Sequence, residues 1–136
     1  MGDWSFDASK WPDIPAMMKT LESYGMKVMV SVWPFSATGS ASIGDVGSKS
    51  LGVKTGANQS ANVWWDDNNC NAKCYLLDQS RADTRAYFWT RLNSGYYSHG
   101  IKIYWLDASE PEISTKDARA VALNSYYSVG STNATG

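Results

Sequence analysis

The stretch GIKIYWLDASEPE, Gly100 to Glu112, decides how the chain is read. Ile101, Ile103, Tyr104, Trp105 and Leu106 form a short, nearly unbroken apolar run rich in β-branched and aromatic residues. That pattern predicts a parallel strand buried on both faces. Asp107 ends it. A charge gains nothing from lying at the last position of a buried strand, whereas enzymes built on parallel strands place reactive side chains at the strands' carboxyl ends. Glu110 and Glu112 follow at once, with Pro111 stiffening the turn between them.

Working outward, the segment before this strand predicts a helix. Ala82, Ala86, Trp89 and Leu92 give it an apolar stripe, Ser80 and Asp83 stand at capping-box spacing, Gly95 weakens it and Gly100 ends it. His99 reads as a capping or surface histidine near the helix end. Further upstream, Ile14, Met17, Met18 and Leu21 fall at i, i+3, i+4 and i+7, one apolar helical face. Asp13 is its N-cap, Pro15 lies in its first turn and Gly25 is its stop. Met26 to Val32 then predicts a second apolar strand, closed by Trp33 and Pro34 because proline cannot continue a central ladder. If the two strands are parallel, their carboxyl ends share one face. Trp33 would then either border the same pocket as Asp107 or simply cover the rim.

These segments, WSFDASKWPDIPAMMKTLESYGMKVMVSVWPF (Trp4 to Phe35) and the strand with Trp105, Leu106, Asp107, two small residues and Glu110, resemble glycoside hydrolase family 31, which holds α-glucosidases and α-xylosidases. The resemblance covers most of the chain. It implies an α/β fold, part of a (β/α)8 TIM barrel with a long loop insertion after one strand. By the same resemblance Asp107 matches the family's catalytic nucleophile. Trp105 matches an aromatic lining the sugar subsite, and Glu110 matches a supporting acidic residue. Ala108 and Ser109 stand where many α-glucosidases of the family have Met and Asn, a pattern nearer the α-xylosidase-like branches. Arg81 and Ala82 stand where the family commonly has Asn then Pro, a change at the helix cap.

The chain has 136 residues, and a complete barrel needs about 250. The resemblance therefore implies a partial catalytic domain over 1–136, with Met1 an internal or mispredicted start and Gly136 a truncation point. The rest of the barrel would be its partner, and the acid/base aspartate would lie on a later strand outside this chain. The function expected is that of a fragment of a retaining α-glycosidase acting on α-linked glucose or xylose. The competing expectation is a non-catalytic carbohydrate-binding or pseudoenzyme fragment.

A formal net charge of -1 gives no electrostatic footprint for nucleic acid or an anionic membrane. No apolar run approaches the roughly 20 residues of a membrane span. Seven tryptophans and eight tyrosines against three phenylalanines lean weakly toward carbohydrate, because Trp and Tyr offer flat apolar faces with polar tips.

Between the two strands, residues 36–79 read as a long loop or insertion on the catalytic face. Its first part, to about Asn62, is rich in Gly, Ser, Ala and Thr and reads as loosely structured. Gly44 to Ser50, GDVGSKS, is rejected as a phosphate-binding loop, since Ser48 separates Gly47 from Lys49 and no strong helix pattern follows. Trp64 and Trp65 beside Asp66 and Asp67 read either as a sugar platform, with Trp65 as the candidate contact, or as a loop anchored by one buried ring. Two cysteines and one histidine are too few for a zinc site, so no metal or cofactor is expected; Cys70 and Cys74 could pair in an oxidising compartment, closing only a small loop, but free thiols are the default expectation. After Glu112, Ala118, Val121 and Ala122 suggest a short helix. Ser125 to Gly136 shows no evident structural close, and the sequons at Asn58 and Asn133 carry no weight in so Asn-, Ser- and Thr-rich a chain.

Overall fold

The computed structural model describes residues 2–55, 59–60, 74–109, 125–129 and 132–135. Helix α1 runs over Ile14–Ser23 with the Asp13 carboxylate accepting from the Ala16 N–H at 2.9 Å. Strand β1 (Met29–Val32) follows, then β2 (Phe35–Ala37), a short helix α2 (Ile43–Ser48) and the two-residue strands β3 (Lys54–Thr55) and β4 (Gln59–Ser60). Strand β5 (Cys74–Leu76) leads to helix α3 (Ala82–Gly95), a 3-10 turn over Tyr97–His99 and strand β6 (Ile103–Leu106). Strands β7 (Ser125–Val129) and β8 (Thr132–Thr135) complete the described elements.

Strands β1 and β6 pair in parallel, in the register Met29 with Ile103, Val30 with Tyr104, Ser31 with Trp105 and Val32 with Leu106. A parallel pair needs a crossover. Here α3 precedes β6 on the way back, and Gly100 takes the left-handed φ of 95° that lets the chain turn from the 3-10 segment into the strand. Strands β2 and β5 pair antiparallel beside them, and β4, β3, β7 and β8 form a separate antiparallel sheet in that order.

Two apolar clusters hold these pieces. One gathers Trp4, Val32, Val46, Leu51, Leu77, Phe88 and Leu92, with Val30 and Tyr104 packed against it from the parallel strands. The other gathers Phe35, Ala37, Val53, Cys74, Leu76 and Ala108, with Trp33 packed on its edge.

The strand expected to be buried on both faces is not. Trp105 is 56% exposed and Leu106 65%, and Met29 and Ile103 on the neighbouring positions are also exposed. The parallel sheet has two strands among the described residues, and Ile103 faces Pro15, Met18 and Glu22 of α1 across a hollow and not a packed interface. The same circumstance leaves Met17, Met18 and Leu21 of α1 only half-buried.

Helix α3 has the expected span but a different buried face. Thr84, Phe88, Leu92 and Gly95 point inward, whereas Ala82 and Ala86 are exposed and Trp89 is 48% exposed. Its expected capping box is absent: Arg81 is the N-cap without a side-chain bond, and the Ser80 hydroxyl donates to Asp78 instead. The segment after β1, expected to be loosely structured, is ordered by buried hydroxyls. Ser36, Ser40 and Ser42 have their Oγ atoms within 2.6 to 3.3 Å of one another, and Ser36 and Ser42 are fully buried. Small polar residues can build an interior when they satisfy one another.

Cys74 is disulfide-bonded, which corrects the expectation of a free thiol there. It is fully buried in the second cluster, where sulfur packs as an apolar group. Cys70 and the helix expected after Glu112 lie outside the described residues. No described helix is long and apolar enough to cross a membrane.

Candidate active site

Because β1 and β6 are parallel, their carboxyl ends lie together, and the chain uses that juxtaposition at once. The Asp107 N–H donates to the Val32 carbonyl at 3.1 Å, extending the pairing one residue past β6. This brings the Asp107 side chain beside Trp33, whose indole Nε1–H donates to Asp107 Oδ2 at 3.1 Å. The other carboxylate oxygen, Oδ1, accepts from the Ala108 N–H at 2.9 Å. Two N–H groups from different segments therefore fix the plane of the carboxylate, each using an oxygen lone pair.

The turn that supplies the second donor is unusual. Ala108 has φ of 54°, a left-handed conformation that costs a non-glycine residue about 1 kcal/mol or more. Its methyl is 8% exposed and packs among Phe35, Ala37, Val53 and Leu76. Burial of that methyl holds the chain in a conformation it would otherwise avoid, and aims the Ala108 N–H back at Asp107.

Trp33 is positioned from behind. Trp4 donates its indole Nε1–H to the Trp33 carbonyl at 3.0 Å. Trp4 is 5% exposed and stands edge-on to Phe88, with ring centroids 4.9 Å apart. A cleft of about 320 Å³ opens here, lined by Trp4, Ser31, Val32, Trp33 and Tyr96 among others. Burial, and then the nearby Asp3 carboxylate, push the Tyr96 phenol above its ordinary pKa, and its hydroxyl donates to the Ser5 carbonyl at 3.3 Å.

The structure thus brings Trp33 and Asp107 into direct contact. Trp105 sits on the open face of β6, opposite Ser31 and two residues before Asp107, a spacing that in a strand keeps side chains to one side. Trp65 and Glu110 lie outside the described residues, as do Asp67 and Glu112. Trp4 and Ala108 were not among the candidate site residues read from the sequence. Trp4 had only the weak signal of a large aromatic in a polar loop, and Ala108 stood out as a departure from the family pattern, while its backbone role left no mark, since a positive φ on alanine does not show in composition.

Other expectations about chemistry resolve elsewhere. Helix α2 overlaps the rejected phosphate-loop motif, and Lys49 pairs with Asp45 at 3.0 Å. His99 is exposed and edge-on to Phe6, with ring centroids 6.3 Å apart. Among the described residues no group of three or more His, Cys, Asp or Glu side chains is placed to hold a metal ion. A larger hollow of about 670 Å³ lies at the opposite end of the parallel pair, between Met26, Lys27, His99 and Lys102, and does not include Asp107.

A parallel strand pair returning through a helix, with a carboxylate held at its carboxyl end, is the placement that α/β barrel enzymes use for their active-site groups. The profile of the glycosyl hydrolases family 31 TIM-barrel domain matches residues 1–134, and the chain belongs to that family. It is 33% identical over 116 residues to an uncharacterized family 31 glucosidase, ORF2, of Pseudescherichia vulneris, covering 85% of this chain and 21% of that protein. It is 27% identical over 110 residues to α-xylosidase A of Aspergillus niger, covering 80% of this chain and 14% of that one. Among solved structures it superimposes on a family 31 α-xylosidase from a soil metagenome complexed with xylose. There the TM-score is 0.74 and the identity 31%, over 93% of this chain and 17% of that chain. The chain therefore spans between 14% and 21% of the length of these relatives, within an α/β TIM-barrel context.

Proposed function

We propose that this chain is the nucleophile-bearing portion of a retaining α-glycosidase that acts on α-glucosides or α-xylosides. The observation that carries the reading is Asp107: a carboxylate at the carboxyl end of a parallel strand, with one oxygen held by the Trp33 indole and the other by the Ala108 N–H. Retaining glycosidases need two carboxyl groups about 5 to 5.5 Å apart, one attacking the anomeric carbon and the other protonating the leaving oxygen. Asp107 takes the first role. Oδ1 or Oδ2 forms a bond to the anomeric carbon as the bond to the leaving oxygen breaks, and water later reverses the attachment. Trp105 and Trp33 supply flat apolar faces to the sugar, Trp65 a further contact, and Glu110 supports the turn. The acid/base residue comes from another part of the barrel, so this portion alone lacks a proton donor for ordinary substrates.

The likeness to the α-xylosidases of Aspergillus niger and of the soil metagenome, together with Ala108 after the aspartate as in the α-xylosidase-like pattern, supports the xyloside side of the choice. The test is intact-mass spectrometry after incubation with fluorinated α-xylosyl and α-glucosyl fluorides, in which fluoride leaves without needing an acid. One sugar adduct, absent in Asp107→Ala, is expected, and the sugar that labels faster identifies the substrate class. A folded chain that takes no adduct from either reagent sinks the proposal for this portion on its own.

A further inference from the structure

We infer that Trp4 is a positioning residue for Asp107, acting through Trp33; its catalytic consequence rests on the reading of Asp107 as the nucleophile. The corner between β1 and β2 presents three successive carbonyls, and each accepts from a different segment. Val32 O takes the Asp107 N–H at 3.1 Å, Trp33 O the Trp4 indole at 3.0 Å, and Pro34 O the Leu77 N–H at 2.8 Å. The middle bond is made by a side chain, so it is the one that a substitution can remove without altering the backbone.

Trp4 is itself fixed on three sides. Its ring stands against Phe88 of α3, its indole N–H is on Trp33, and its own carbonyl lies against Gly95, where a methyl group would overlap it. Its φ of 45° is a left-handed value that a non-glycine residue keeps only when surroundings enforce it. The result is a chain of contacts from α3 through Trp4 to the Trp33 backbone, and from the Trp33 indole to Asp107 Oδ2. The direction of the Trp33 Cα–Cβ bond follows from its backbone, so the Trp4 bond fixes the base from which the Trp33 indole reaches Asp107. A carboxylate that must attack along one line is sensitive to such aim, because small misplacements cost rate far more than affinity.

The experiment is indole N–H spectroscopy by NMR of the full chain, with the Trp33 signal assigned through Trp33→Phe. Asp107→Asn should move that signal, as expected of a donor losing an anionic acceptor. Trp4→Phe should move it too and speed its exchange with solvent about fivefold, the effect of losing one ordinary hydrogen bond. Trp89→Phe, on the outer face of α3, should leave it alone. Where Trp4→Phe perturbs the fold, benzothienylalanine at position 4 keeps the shape of tryptophan without its N–H. In the labelling assay the Trp4 variants should lower the rate of adduct formation about fivefold at unchanged affinity for the reagent. A Trp33 signal indifferent to a folded Trp4 variant, or weakened affinity at an unchanged rate, overturns the inference. If the wild-type chain takes no label while the Trp33 signal responds to both substitutions, the nucleophile reading falls and the positioning role stands.

Discussion

Gly95 lies against the backbone of Trp4 so closely that a Cβ at position 95 would overlap the Trp4 carbonyl oxygen and come within 3.0 Å of the Ser5 Cα. Glycine inside a helix ordinarily weakens it by about 1 kcal/mol relative to alanine, so replacement by alanine would normally stabilise. Here the sign reverses. Gly95→Ala is expected to destabilise by about 2 to 3 kcal/mol, measured by urea unfolding, because the obstacle is backbone and cannot rotate away. A gain in stability would mean that the N-terminal segment does not pack on α3 in this way.

The buried face of α3 can be tested by a pair of aromatic truncations one residue apart. Phe88 is 9% exposed and Trp89 is 48% exposed. Phe88→Ala should cost about 3 to 5 kcal/mol. Trp89→Ala should cost under about 1 kcal/mol, mainly through its edge contact with Tyr97. Equal losses would contradict the observed rotation of the helix.

Ala108 combines a left-handed backbone with a buried methyl. A β-branched side chain meets both obstacles, and Ala108→Val should destabilise by at least about 2 kcal/mol and abolish labelling at Asp107. Ala108→Gly frees the backbone and leaves a small void, two effects of similar size and opposite sign, so its stability should stay within about 1 kcal/mol of the parent. Its expected signature is a looser site, read as slower labelling at nearly unchanged stability.

Acid should weaken the contact between α2 and α3. Lys49 and, after it, the Tyr87 hydroxyl hold the Asp45 carboxylate below its ordinary pKa, and the bond to Tyr87 at 3.3 Å joins the two helices. A carboxyl whose pKa is lowered by folding contributes stability that is complete above its unfolded value and is lost as pH falls through the folded one. Unfolding midpoints should therefore decline below about pH 4, and Asp45→Asn should make that decline shallower. High salt should do the same, because the pair is exposed and screened. An identical acid limb in Asp45→Asn would remove Asp45 from the account.

Much of the scaffold was legible because its signals are local. Asp13 caps α1 as its position before Ile14 suggests, and the run from Ile101 to Leu106 does contain the strand that ends at Asp107. What failed required knowledge of neighbours. Counting apolar residues chose Ala86 and Trp89 for the inner face of α3, but tryptophan is amphipathic, and two of the four inward residues, Thr84 and Gly95, carry no hydrophobic signal. The Ser-rich segment after β1 looked loose because its interior is built from hydroxyls. At the site, the place of Trp33 at the end of its strand left two readings open, and only the parallel register of β1 with β6 brings its indole onto Asp107.

The corner of three carbonyls at Val32, Trp33 and Pro34 also bears on how the chain acquires its shape in time. The bonds at the corner and beside it join residues far apart in sequence, 29 positions for the Trp4 indole on the Trp33 carbonyl and 74 for the Trp33 indole on Asp107. Closing long loops precedes any reward from the contacts they permit, so such pairings form late. During synthesis the Val32 carbonyl waits for its donor until the chain beyond Asp107 has emerged, and the Asp107 carboxylate meets the Trp33 indole only once the parallel pair can form.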